Sequence, residues 1–293
     1  VVDDRTLLAT IADLVGTDRI EDDCALLPLD GTTLVATTDM LHEQTDFPAG
    51  MSDWQMGWMA VAATLSDIAA MGASPGLLLI AVGLDRPERL RLVMEGASAC
   101  CSTFYTPLAG GDIDEHQELT LVTSAIGFAK RPVHRRGACV GDQICVTGIL
   151  GRAHAALQGF HQYDLHLFEP RPRIPEGQEI ARAGATSLMD ISDGLALSLH
   201  DLAAVNEVGY AIETHRLPRP EDLPAELSLE FALFGGGDYE LLFTIPPEQF
   251  PLLSIECSRI GEVIPLHGVF ADGMPLPARG YQHQWDTTFQ KNW

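Results

Sequence analysis

Apolar positions recur along this chain at two periods, one helical and one strand-like. Residues 3–14 carry the spaced apolar positions of a helix, residues 33–39 alternate as a strand, and residues 52–71 place Met56, Met59, Ala63 and Ala70 on one helical stripe. Trp54 and Trp58 fall on one side of that long helix as packing residues, and Gly72 ends it. A short apolar strand over 77–84, a helix over 87–101 and an alternating strand over 119–127 follow. Arg131, Arg135 and Arg136 then punctuate residues 130–141, and Gly137 introduces a turn. Beyond it the pattern predicts a strand over 143–147, a helix over 152–160 and a Pro- and Arg-rich segment over 170–175. A helix starts near Asp193, strands cover 210–213 and 240–244, and short strands and turns run from Gly261 onward. These periods define a mixed α/β (α+β) chain of two units, 1–136 and 137–293, with no strict internal repeat.

Composition narrows the functional classes. Among 293 residues, 41 are acidic and 18 basic, a formal charge of −23, and Lys130 and Lys291 are the only lysines. Such a balance repels a phosphate backbone and argues against nucleic-acid binding. Hydrophobic types make up 46%, enough for a substantial core. The N-terminus lacks a basic flank and no apolar run approaches about 18 residues, so the expectation is a soluble cytoplasmic protein with no membrane partner. Six cysteines lack a metal-ligand or disulfide spacing and are expected reduced and mostly buried; ten scattered histidines form no ligand set.

The chemistry concentrates in carboxylates beside turns and element ends: Asp22, Asp23, Asp39, Asp67, Asp112, Asp190 and Asp193. Hard-cation chemistry needs several oxygens converging on Mg²⁺, supplemented by substrate phosphates. In Thr37-Thr38-Asp39, strand alternation puts Thr37 and Asp39 on one side and Thr38 on the other. An Asx-turn closing the strand is the structural alternative there. Asp67 sits near the C-terminal end of the long helix, where the macrodipole disfavours a negative charge and a cation would offset it. In Gly110-Gly111-Asp112, which precedes a short connector, the glycines let amides approach a phosphate or a metal-bound oxygen, although a tight structural turn accounts for them equally. Asp190-Ile191-Ser192-Asp193-Gly194 places Asp190 and Ser192 on one side of an extended segment, with Asp193 at a helix start where it can also act as a cap.

In order along the chain, Asp22-Asp23-Cys24-Ala25, Thr37-Thr38-Asp39, Leu65-Ser66-Asp67-Ile68-Ala69-Ala70-Met71-Gly72-Ala73 and Gly110-Gly111-Asp112 are followed by Arg136-Gly137-Ala138, Gly141-Asp142, Asp190-Ile191-Ser192-Asp193-Gly194 and Gly236-Gly237-Asp238-Tyr239-Glu240. This combination, over residues 4–285, resembles the thiamine-monophosphate kinases of the aminoimidazole-ribonucleotide-synthetase-like superfamily. The resemblance implies a two-domain protomer in a homodimer whose N-terminal halves form a central β-barrel. Residues 1–136 would bind ATP and metal and dimerise, and 137–293 would form a C-terminal α/β domain. It further implies ATP and Mg²⁺ as cofactors and transfer of the γ-phosphoryl group to thiamine monophosphate.

Carried over position by position, the resemblance makes Asp193 and Asp112 the catalytic candidates. Thr37, Thr38, Gly111, Asp112, Arg136 and Ser192 become nucleotide-binding candidates, and Asp23, Asp39, Asp67, Asp112, Asp190 and Asp193 the metal set. Asp46, Asp238 and Tyr281 are the acceptor-binding candidates, with Tyr281 matching a C-terminal aromatic that packs on thiamine. Arg135 is a weaker phosphate candidate than Arg136, and Arg171 and Arg173 either reach the acceptor phosphate or form a solvated loop. Several positions depart from the family pattern. Gly237 stands where the family has an acidic residue, Asp46 where His is common, Glu21 where glycine precedes Asp22, and Ile113 where a small hydroxyl residue is common. Asp238 is the nearest replacement for the missing carboxylate. These departures keep two rivals in view: a related ATP-dependent enzyme with another phosphorylated or carboxylated acceptor, and a non-catalytic nucleotide-binding homologue.

Overall fold

A computed structural model describes residues 4–16 and 21–283. Asp3, Trp285, Trp293 and Lys291 lie outside the described residues. The chain opens with α1 (Asp4–Val15), followed by the hairpin β1 (Ala25–Leu29) and β2 (Thr32–His42) and the long helix α2 (Asp53–Ala70). Strand β3 (Ser74–Leu84), helix α3 (Leu90–Thr103) and strands β4 (Leu108–Glu115) and β5 (Thr120–Ala129) complete the first unit. The second unit runs β6 (Gln143–Thr147), α4 (Arg152–Leu157), α5 (Asp164–Phe168), α6 (Ile174–Ala183), β7 (Ser187–Ile191), α7 (Leu195–Asn206) and β8 (Gly209–Ile212). It ends with α8 (Ala225–Phe234), β9 (Glu240–Ile245), β10 (Cys257–Ile264), β11 (Gly268–Ala271) and β12 (Met274–Pro275).

The strands form a five-stranded sheet ordered β1-β2-β5-β3-β4 and a seven-stranded sheet ordered β12-β11-β8-β10-β6-β9-β7. Both are open, so the central barrel expected for the N-terminal half is not what this chain forms. The first sheet ends at β1, which contains Pro28, and at β4, which contains Gly110 and Gly111; proline and glycine both suit a terminal strand better than a central one. Gly110-Gly111-Asp112, for which a tight turn is one of the two readings, lies within β4, parallel to β3. Gly111 is needed there for close approach: a Cβ would lie 1.7 Å from the Ile80 carbonyl oxygen.

Helix α2 organises the molecule. Ser52 caps it, accepting from the Gln55 amide while the Gln55 side chain accepts from the Ser52 amide. Its sequence is apolar on nearly every side, and accordingly it is buried from Met56 to Ala70 except at Asp67. It packs on β2 and β5 of one sheet, on β7 of the other and on α6. One core therefore runs from Val35, Leu65 and Leu121 through Leu188, Leu241 and Phe243. A second core under the seven-stranded sheet holds Ile144, Leu199 and Tyr210. Trp58 is buried, stacks on Trp54 at 5.5 Å and donates from Nε1 to the Pro170 carbonyl at 2.9 Å. The cysteines are unpaired, and four of the six are buried. Among the described residues no helix is long and apolar enough to cross a membrane.

Candidate active site

Where α2 passes between the two sheets, three carboxylates converge. One oxygen each from Asp23, Asp67 and Asp190 lies within 4.8 Å of the others. Asp23 comes from the loop before β1, Asp67 from the last turns of α2 and Asp190 from the end of β7, so both sheets and the helix between them contribute. Asp39, at mid-β2, pairs in register with Thr123, whose hydroxyl meets that of Thr64 on α2. Asp39 thus faces α2, and its Oδ2 is buried without a hydrogen-bond partner. Thr37 shares this face and donates to Asp67 Oδ2 at 2.5 Å, whereas Thr38 turns to the other face and meets Ser124 at 3.0 Å, as strand alternation predicts.

The electrostatics follow from crowding like charges in a partly dry site. Burial, then Asp39, Asp190 and Asp23, raise the Asp67 carboxyl well above its ordinary value, against the opposing Thr37 hydrogen bond. Burial and Asp23 raise Asp190 to about 7, while a 2.7 Å hydrogen bond from Ser66 and the charge of Arg135 oppose the rise. Burial likewise lifts Asp39, with Asp23 adding to it. Tyr239 lies among the same groups: burial first, then Asp39, Asp190, Asp193 and Asp67, push its hydroxyl upward. The donor set is all oxygen, and an unpartnered buried carboxylate oxygen stands beside it. That chemistry fits a hard divalent cation, with Asp23, Asp39, Asp67 and Asp190 as its holders.

The remaining candidates are distributed around this cluster. Asp193 is exposed in the loop after β7, and its charge acts on Asp190; Gly194 occupies the N-cap of α7, with no side chain capping that helix. The Ser192 carbonyl accepts from the Gly237 amide at 2.7 Å. Asp112 is exposed on β4, accepts from the Ile113 amide through Oδ1, and lies outside the three-carboxylate group. Asp238 is turned inward, with Oδ2 accepting from the Gly151 amide at 2.5 Å and Oδ1 from the Ala153 amide at 2.9 Å, which holds the start of α4. Each of its oxygens thus meets one backbone amide.

The two neighbouring arginines take different partners. Arg136 is largely exposed and pairs with Glu21 at 3.0 Å. Arg135 instead grips Asp23 through Nε and Nη2, at 3.1 and 2.5 Å, and its backbone amide donates to Asp22. A count of charges could not separate them; the signal lay in the local pairing, since Asp22-Asp23 needs a cation once buried and Glu21 does not. Ser66 and Tyr239 were likewise visible only inside longer motifs. On the far side of β9, Arg152, Arg173, Glu240, Asp238 and Gly148 line a cavity of about 320 Å³, in which Arg173 and Arg152 pair with buried Glu240. Arg171 lies at that cavity, 5.9 Å above the Phe104 ring.

This fold and carboxylate arrangement place the chain in a recognisable class: residues 21–129 match the family model for the AIR synthase related protein N-terminal domain. The whole chain is 50% identical over 97% of its length to the thiamine-monophosphate kinase of Methanospirillum hungatei, which is covered completely, and 39% identical over 96% to that of Halobacterium salinarum, also covered completely. It belongs to the thiamine-monophosphate kinase family. The solved thiamine monophosphate kinase of Aquifex aeolicus superposes with a TM-score of 0.83 at 28% identity, covering 92% of this chain and 97% of that one. The structure of AaThiL complexed with AMPPCP and TMP gives 0.90 at 29%, covering 96% and 97%.

Proposed function

We propose that this chain transfers the γ-phosphoryl group of ATP to the phosphate of thiamine monophosphate, producing thiamine diphosphate and ADP. The observation that carries this reading is the gathering of Asp23, Asp67 and Asp190 between the two sheets of a chain 50% identical to a thiamine-monophosphate kinase. AaThiL, complexed with AMPPCP and TMP, supports the same pair of substrates. In the reaction a terminal oxygen of the acceptor phosphate bonds to the γ-phosphorus as the bridge to the β-phosphate breaks, and ADP leaves. No protein nucleophile is required.

The protein's task is to hold two anionic substrates in line. Magnesium, when bound, supplies the charge neutralisation that lets them approach. Thr37 orients Asp67, Ser66 orients Asp190 and Arg135 orients Asp23, so each carboxylate of the cluster is aimed by a hydrogen bond. Asp193 and Asp112 serve the reacting phosphates, and Gly111, Ser192 and, from the other face of β2, Thr38 serve the nucleotide. Arg135 is the cation beside the cluster, and Arg136 serves the nucleotide phosphates. Tyr281 faces the acceptor.

Residues 1–136 carry the metal site and the surface for self-association, residues 137–293 complete the site, and the protein acts as a cytoplasmic homodimer. Support for self-association comes from the apolar side chains that the five-stranded sheet exposes, including Leu27, Met40, Leu79 and Phe128.

The test is product formation. Purified protein incubated with ATP, Mg²⁺ and thiamine monophosphate yields thiamine diphosphate and ADP in equal amounts. ATP turnover only with a different acceptor, or nucleotide binding with no turnover across an acceptor panel, would refute the assignment.

A further inference from the structure

We propose that the cavity on the far side of β9 is a second ligand site, for a compact oxyanion of the phosphate class held between Arg152 and Arg171. The site goes beyond the kinase reading above and does not depend on it. At about 320 Å³ the cavity falls at the lower end of the range for ligand pockets, and none of Asp23, Asp67 and Asp190 lines it. Side-chain alternation separates the two places. Tyr239 lies among the carboxylates of the cluster, whereas the next residue, Glu240 at the start of β9, turns into the cavity. The clustered carboxylates need a cation before an anion can approach; in the cavity, guanidinium groups form the wall themselves.

Three arginines line that wall, and one of them is fully paired. Arg173 grips Glu240 through Nε at 2.7 Å and Nη2 at 2.5 Å, and the Thr147 hydroxyl donates to Glu240 Oε2 at 2.6 Å. Both carboxylate oxygens are thus engaged without Arg152. The Arg152 side chain makes one hydrogen bond among the described residues, from Nη2 to Glu240 Oε1 at the long distance of 3.5 Å, and its buried Nε has no partner. Arg171 is exposed, forms no ion pair among the described residues and lies 5.9 Å above the Phe104 ring. The acids at the same wall do not claim these two charges. Asp238 gives one oxygen to each of the Gly151 and Ala153 amides, Glu169 accepts from Gln55 Nε2 at 3.4 Å, and Glu256 is outside ion-pair distance of both arginines. Burial, then the charge of Arg152, lowers the proton affinity of His166, so its ring adds a neutral N–H donor. In a chain with 41 acidic and 18 basic residues, two guanidinium groups without a close carboxylate at one cavity are left for an outside anion, which their planar donors suit.

Titration of the full chain with inorganic phosphate tests this, in chelator, where the metal-free carboxylate cluster repels anions, and at constant ionic strength. Followed by phosphorus NMR line width, phosphate binds the parent saturably, and Arg152→Gln and Arg171→Gln each weaken binding about tenfold, the scale of one charge-assisted contact. Arg171 is exposed and makes no ion pair, so Arg171→Gln folds and carries the test even where Arg152→Gln does not. A second arm with ADP separates the sources. ADP that displaces phosphate and itself weakens about tenfold in both variants identifies the phosphoryl end of a nucleotide; ADP that does not displace it leaves the free oxyanion. Lack of saturable phosphate binding in chelator, or unchanged affinity in Arg171→Gln, overturns the site. Formation of thiamine diphosphate by the parent is a separate measurement, so failure of this site leaves the kinase reading standing.

Discussion

Arg135 and Asp23 form a two-point ion pair, Nη2 to Oδ1 at 2.5 Å and Nε to Oδ2 at 3.1 Å, at a carboxylate whose side chain is 1% exposed. Burial alone would lower the affinity of Arg135 for its proton, but Asp23 outweighs that and holds the guanidinium charged. Removing the cation leaves a buried carboxylate uncompensated beside two others. Arg135→Gln is therefore expected to lower unfolding free energy by about 3–5 kcal/mol. Arg136→Gln breaks an exposed pair with Glu21 and leaves the unfolding curve nearly unchanged. Urea denaturation of the two variants side by side checks this, and equal losses would show that the pairs are not distinguished by burial.

Asp67 tests whether the cluster is built for a cation at the expense of the empty protein. Its carboxyl is raised by burial and by Asp39, Asp190 and Asp23, which means that the metal-free fold carries like-charge repulsion there. Asp67→Asn relieves it, so the variant treated with a chelator should be more stable than the parent by roughly 1 kcal/mol. Mg²⁺ should then raise the melting temperature of the parent but not of the variant, while turnover falls on the order of a hundredfold. A variant that loses stability in chelator, or that keeps the full Mg²⁺ response, contradicts this account of the site.

Much of the fold was legible from periodicity, because α2, β5 and β6 are buried elements whose apolar residues leave a clean repeat. The predicted strand over 143–147 coincides with Gln143–Thr147. The predicted helix over 152–160 stops earlier, at Leu157, where Gly159 takes a positive φ of 89° and the chain turns into the next short helices. β4 was misread because it is an exposed edge strand whose Gly-Gly-Asp carries the composition of a turn; only pairing with β3 makes it a strand. The barrel inference had no support within one chain's hydrophobic pattern, since closure depends on which strand edges meet. At the site, Asp23, Asp67 and Asp190 were readable as carboxylates at element ends. Their convergence depends on α2 lying between two sheets, and that is a tertiary fact. Asp112 and Asp238 carried the same residue type in equally suggestive motifs, and their placement, one exposed on β4 and the other at a helix start, is a tertiary fact too.

Gly111 gives a test of the β4 assignment. A Cβ at this position would collide with the Ile80 carbonyl oxygen at 1.7 Å, and backbone cannot yield as a flexible side chain does. Gly111→Ala should separate β4 from β3 and cost roughly 1–3 kcal/mol, the range of an overpacked site. Hydrogen exchange locates the damage: amides of Leu108–Glu115 lose protection while those of β6 and β9 keep it. Unchanged protection along β4 would mean that the strands do not approach as closely as the structure has them.

Asp238 carries a stability effect whose sign differs from that of an ordinary surface carboxylate. Burial lifts its carboxyl from 3.8 to about 7, while the amides of Ala153 and Gly151 pull the other way. The unfolded chain releases this proton near the lower value, so through the interval from about 4 to about 7 the native state binds more protons than the unfolded state. Stability from this group is complete below that interval and is lost as pH rises through it, at up to about 1.4 kcal/mol per pH unit. Asp238→Asn removes the titration and also leaves one of the two helix-start amides without an acceptor, a pH-independent loss of about 1–3 kcal/mol. The stability advantage of the parent over Asp238→Asn should therefore shrink as the buffer moves from about pH 5.5 to about pH 8. Urea denaturation across that range measures it, and a gap that stays constant or widens toward high pH would show that Asp238 is ionised throughout and that its amide bonds, not its burial, set its charge.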